Sequence, residues 1–197
     1  SYGTQGFHLE FKQTGDGSST AGTGTIGADT ANSNHYRDTN LDAYDSNMPD
    51  CPENNFCTLN GSAKSTGLTL SEGSLQTNNA NDFALGTIAV NSGKWYYENY
   101  INSTNGGFAG VWEADSGVYS TVVDDGGNNT DGYGIYTNGK KVRDGTYVNY
   151  GTAFTTAGDV IGVALDMDNG AIYFSLNGTW QNSATTSEIA AGTTTNA

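Results

Sequence analysis

The sequence predicts an all-β fold, a two-sheet antiparallel β-sandwich behind an irregular N-terminal extension. Three observations carry that expectation. Ile161, Val163 and Leu165 alternate with small or polar neighbours, as do Ile172, Phe174 and Leu176, a period of two that sets each trio on one face of a strand. Turn formers punctuate the same region, Asp168-Asn169-Gly170 between the trios and Asn177-Gly178 after the second; such residues tolerate positive φ and close tight hairpins. No stretch keeps the 3.6-residue period of a convincing amphipathic helix. Residues 159–180 therefore read as a three-strand antiparallel meander.

Composition agrees. The 197 residues include 28 Gly but only 2 Pro, with 12 Tyr, 7 Phe and 3 Trp. That aromatic content exceeds what disordered segments hold, and short strands joined by polar turns account for it. No apolar run approaches the roughly 18 residues a membrane helix needs, so membrane insertion is not expected. Seven basic against 21 acidic side chains give a net charge of −14, which repels a phosphate backbone; nucleic acid is not an expected partner. Lys140, Lys141 and Arg143 read as a solvated hairpin tip in preference to an anion site.

Taken in order, residues 1–67 form the irregular extension. Within it Phe7, Leu9 and Phe11 alternate over 6–11 and predict one short strand. From Gly15 to Asn55 polar and turn-forming residues dominate. A loop of that length is expected to wrap a surface or dock on a neighbouring chain. Residues 68–197 form the sandwich. Leu68 and Leu70 begin a strand, 86–90 make another, and GKWYYENYI at 93–101 is a third, dense in aromatics that suit a pleated surface. FAGVWEA at 108–114, TDGYGIYTNGKKV at 130–142 and the meander follow. After Trp180 no strand pattern continues, so the sandwich is expected to be truncated at its C-terminus, part of something longer.

The ordered motifs SGKWYYENYI, GFAGVWEA, DGYGIYTNGKKV and GDVIGVALDMDNGAIYFSLNGTW resemble the SPRY domain, a two-sheet sandwich of the concanavalin A-like, jelly-roll kind. The likeness spans about 68–182 and is most specific at Gly158 to Val163 and at Asn177-Gly178. VVDDGGNNTDG at 122–132 is longer and more polar than the family pattern, and the closing strands after the Asn-Gly turn are missing. The leader, with Asn54-Asn55-Phe56 and Thr58-Leu59-Asn60, resembles a segment that precedes SPRY-like domains in structural proteins of tailed bacteriophages. His35-Tyr36 departs from that pattern, where an acidic residue and Trp are expected.

Chemistry-bearing groups are sparse. Concanavalin A-like glycosidases pair two carboxylates from one strand in an E-x-D-x-x-E pattern. Glu113 and Asp115 begin it, but Val118 stands at the second Glu, and Glu98 from a neighbouring strand is a poor substitute. His8 and His35 have no nucleophile motif nearby. No enzyme activity is expected. Asp166-Met167-Asp168-Asn169 and the group Asp124, Asp125, Asn128 and Asp131 offer oxygen ligands of the kind calcium takes, yet neither reaches a full binding-loop spacing; a hairpin turn and a solvated loop are the preferred readings, and no cofactor is expected. Cys51 and Cys57 match neither a zinc pair nor a redox motif, which leaves a disulfide and two buried thiols both open.

Among aromatic residues beside loops, Trp112, Tyr119, Tyr133, Tyr136, Tyr147 and Tyr150 are candidates for stacking or anchoring, although most such rings serve as core or cross-strand pairs. SPRY domains bind peptides or proteins through loops at one edge. The resemblance thus implicates Trp112, Asp115, Tyr119, Asp124, Asp125, Asn128, Tyr133 and Tyr147, in the segments around 115–132 and 143–150. The function that the leader and sandwich resemblances together imply is a non-catalytic virion protein of a bacteriophage, a fibre, tail or capsid-surface component whose partners are other virion proteins or a host receptor or glycan. A homo-oligomer, such as a fibre trimer, is compatible with this. The alternative is a secreted or surface carbohydrate-binding lectin, or a filament subunit. If the meander is scaffold, Phe174→Ala is costly and Asp168→Ala nearly neutral.

Overall fold

The alternating trios do form adjacent antiparallel strands. The computed structural model describes residues 3–13, 20–39, 54–78, 83–103, 107–113 and 131–197. Among these the strands are β1 (Leu59–Lys64), β2 (Leu70–Ser71), β3 (Gln76–Thr77), β4 (Ala84–Gly86), β5 (Lys94–Tyr100), β6 (Phe108–Trp112), β7 (Gly132–Tyr136), β8 (Lys140–Arg143), β9 (Thr146–Asn149), β10 (Val160–Asp166), β11 (Ala171–Leu176) and β12 (Thr179–Trp180), followed by helix α1 (Thr186–Ala191). Two compact units divide the chain: residues 1–61 with 69–78, and residues 62–68 with 79–197.

The first unit has little regular structure. The strand expected over 6–11 is reduced to a single bridge between Leu9 and Asp29. A buried aspartate replaces it as the organiser: the Asp29 carboxylate accepts from the main-chain N–H groups of His8, Ala31 and Asn34, while the Asp29 N–H donates to Nδ1 of His35. The hairpin β2–β3 also belongs here, although the sequence assigned it to the sandwich.

In the second unit two four-stranded antiparallel sheets carry the fold. The first has the order β12-β11-β10-β5 and the second β6-β7-β8-β9. Val163 sits opposite Phe174 on β11 and opposite Tyr97 on β5, so Ile161, Val163, Phe174 and Leu176 share one face. That face meets Ala109 and Ile135 of the second sheet, with Tyr150 and Phe154, in a common core. Val163 is 0% and Phe174 1% exposed, and each such side chain contributes about 1.5–3 kcal/mol through burial. The sandwich is thus as the sequence predicts.

The hairpins explain the register. Asn177-Gly178 and Asp144-Gly145 both have positive φ at both positions, the primed turn that matches strand twist. The second of these converts part of the expected 143–150 loop into the β8–β9 hairpin. At the β7–β8 tip, Gly139 has φ 77° and a Cβ there would lie 2.4 Å from the Gly151 carbonyl oxygen. Only glycine fits without displacement.

Several expectations shift. Leu68 is buried outside any strand, β2 is only two residues long, and β4 ends where a strand over 86–90 was predicted. Helix α1 was not anticipated. Thr185-Thr186-Ser187-Glu188 forms a complete capping box and Gly192 closes the helix in the left-handed conformation, so local capping rather than an apolar stripe defines it. Together with Ala184 and Ala197, α1 lies against the outer face of the first sheet through Ile189, over Ala164, Ala171 and Tyr173.

Candidate functional site

The second sheet gathers aromatic and basic side chains at one rim. Trp112 ends β6 opposite Gly132, and Val111 faces Tyr133; Arg143 ends β8 one step beyond the Gly134–Val142 pair. Tyr133 and Arg143 share the strand parity of Ile135, and Trp112 has the opposite one. The Arg143 guanidinium stands 4.4 Å from the Tyr133 ring centroid, a cation–π contact, and both side chains are exposed. Trp112 is half-buried and stacks on Phe83 with centroids 6.2 Å apart. On the Trp112 face, Tyr147 packs edge-on against Tyr136 at 6.1 Å. The contact reaches from β7 across β8 to β9.

Of the expected site residues, Trp112 and Tyr133 therefore flank the rim and Tyr147 lies one row behind it. Asp115, Tyr119, Asp124, Asp125 and Asn128 fall outside the described residues, in the connection between β6 and β7. Tyr150 belongs to the core, 5% exposed; its phenol is pushed up to about 12, chiefly by burial.

The sequence reading missed a second aromatic surface. On β5, Trp95, Tyr96 and Tyr100 are 48%, 54% and 67% exposed. Tyr96 also meets Trp180 edge-on at 6.3 Å. Between them, on the outer face of the first sheet, lies an open cavity of about 250 Å³ bounded by Lys94, Ala164, Asp166 and Ile189. Its polar groups are already engaged. Lys94 donates to the buried Asp166 carboxylate and to the Ile189 carbonyl, and Asn169 donates to Asp166 from its main chain and its amide. The Lys94 hydrogen bond, then that of Asn169, holds the Asp166 carboxyl below its usual range.

These contacts bear on the other candidates. Asp168 accepts from the Gly93 N–H at 2.8 Å, so the Asp166–Gly170 turn uses both carboxylates within the protein. Among the described residues no group of three or more His, Cys, Asp or Glu is placed to hold a metal ion. Glu98 accepts from the Tyr96 hydroxyl on the outer face of the first sheet, whereas Glu113 follows β6 in the second. Cys57 is a free, exposed cysteine, which departs from the buried-thiol reading; Cys51 lies outside the described residues.

The described strands thus form an antiparallel sandwich with an exposed tyrosine–arginine pair at one rim. Residues 94–193 match the model of the SPRY domain, and the chain belongs to that family. SPRY domains mediate protein–protein interaction. The chain is also 38% identical over 93 residues, 47% of its length, to the ATP-dependent RNA helicase DDX1 of Xenopus laevis. The match covers 12% of that relative's own length.

Proposed function

We propose that this chain is a non-catalytic recognition protein of a bacteriophage particle, a fibre, tail or capsid-surface component that contacts a host receptor or a neighbouring virion protein. The contact is made at the rim of Trp112, Tyr133 and Arg143 together with the β6–β7 connection. One observation carries the placement: the exposed Tyr133 ring lies under the Arg143 guanidinium. Tyrosine, tryptophan and arginine are the residues enriched at binding hot spots. The virion context rests on the leader, whose Asn54-Asn55-Phe56 and Thr58-Leu59-Asn60 resemble tailed-phage structural proteins.

Mass spectrometry of purified particles tests the context, and absence of the chain from virions rejects it. Adsorption competition tests the role. Purified protein added before infection should reduce particle attachment, and Tyr133→Ala with Arg143→Ala should abolish that effect without moving Tm. Competition unaffected by the double change would displace the contact from this rim.

A second reading, glycan binding by a secreted or surface lectin, is favoured by the cavity between Tyr96 and Trp180, where aromatic rings offer a stacking surface to a sugar. A glycan array on the wild-type protein and on Tyr96→Ala separates the two. Signal lost in the variant supports the lectin; uniformly absent signal removes it.

A further inference from the structure

Among the described residues strand β5 is the outermost strand of the first sheet, with β10 on one side only. The Met167 N–H donates to the Gly93 carbonyl and the Ile101 N–H to the Asp159 carbonyl. These bonds bracket the strand and show that its odd-numbered residues turn their main-chain groups toward β10. Alternation turns those of Lys94, Tyr96, Glu98 and Tyr100 outward. Among the described residues β10 is the one strand beside β5, so the outward main-chain groups of these four have no strand partner there.

Natural edges of this kind are blunted by proline, bulges, shortness or charged side chains; β5 has two charges, Lys94 and Glu98. Strand β5 is seven residues long, KWYYENY, without proline, and two of its outward residues, Tyr96 and Tyr100, are more than half exposed. The sequence is also self-complementary. An antiparallel pairing of two copies about Tyr96 sets Lys94 opposite the partner's Glu98 on the outer face. It sets Trp95 opposite the partner's Tyr97 on the inner face, and Tyr96 opposite the partner's Tyr96. Because Lys94, Tyr96 and Glu98 are outward-bonding positions, their three pairs would exchange about six main-chain hydrogen bonds. An axis at Glu98 instead sets two carboxylates face to face, and one at Tyr97 leaves both charges opposite tyrosines.

We propose that β5 pairs with β5 of a second copy of this chain across a two-fold axis at Tyr96, joining two four-stranded sheets into one continuous sheet. The arrangement is isologous, and the same surface serves both subunits. It is independent of the rim of the second sheet.

Sedimentation equilibrium of the purified chain over a wide concentration range tests the association, with a reversible dimer expected. Glu98→Lys sets lysine opposite the partner's Lys94 twice per dimer and should weaken dimerisation about tenfold, while Tm extrapolated to the monomer is unchanged. Cysteine scanning tests the register, in a background with Cys51→Ser and Cys57→Ser. Directly opposed residues of a hydrogen-bonded pair have Cα atoms about 5.5 Å apart, within disulfide reach, so Tyr96→Cys should cross-link under mild oxidation and Tyr100→Cys should not. A monomer at every concentration, or a dimer in which Tyr100→Cys cross-links and Tyr96→Cys does not, overturns the proposal.

Discussion

Phe174, 1% exposed, packs edge-on against Tyr150 at 5.6 Å and opposite Val163, so Phe174→Ala should cost about 3–5 kcal/mol in urea unfolding. Asp168→Ala, nearly neutral on the sequence alone, should cost about 1 kcal/mol because the Gly93 N–H loses its acceptor. Gly139→Ala should cost about 1–3 kcal/mol, since it meets both a positive φ and a carbonyl 2.4 Å away; a change below a few tenths of that would mean the tip rearranges freely. Asp166 gives a pH signature. Its folded carboxyl lies below the usual range because of Lys94 and then Asn169, so folding favours the ionised form. Its contribution is complete above the unfolded value of about 3.9 and disappears as pH falls through the folded pKa. Urea midpoints measured downward from pH 6 should therefore drop less steeply in Asp166→Asn than in the wild type.

Helix α1 and strand β5 show how local signals differ in what they can carry. The capping box at Thr185 and Glu188 satisfies first-turn N–H groups, so Thr185→Ala should cost about 1 kcal/mol and release the cover over Tyr173, whose hydroxyl donates to the Thr193 carbonyl. Near-ultraviolet circular dichroism and tryptophan emission should report it through Trp180, whose indole N–H donates to Thr186. The T-x-x-E signal was present in the sequence; what was absent was an apolar period, because a six-residue helix is too short to express one. Strand β5 was readable as a strand, but its aromatics occupy both parities, and a period-two pattern cannot reveal that an edge strand leaves both sets partly exposed.

At the scale of the whole molecule, β10 and β11 each lie between two hydrogen-bonded neighbours and carry Ile161, Val163, Tyr173 and Phe174, none more than 1% exposed. Amide exchange should be slowest at Ile161, Val163 and Phe174 and fast in the leader; slowest exchange in the leader would invert the hierarchy of the fold. The sandwich, its meander and the Asn177-Gly178 turn were legible in the sequence because each depends on residues within a few positions of one another. The β1 and β9 strands, the division of the chain around residues 62–78 and the role of Asp29 were not, since all depend on partners distant in sequence. The rim was half legible: Trp112 and Tyr133 stood out as ring-bearing strand ends, but Arg143 looked like a solvated turn residue until β7 and β8 were paired. Alternation and turn chemistry, being local, determined by themselves that this chain forms antiparallel strands with one apolar face. Which rings are buried, which are paired with a cation and which strand has a neighbour on one side only among the described residues was decided only by tertiary structure, because exposure depends on the neighbouring strand and not on the strand itself.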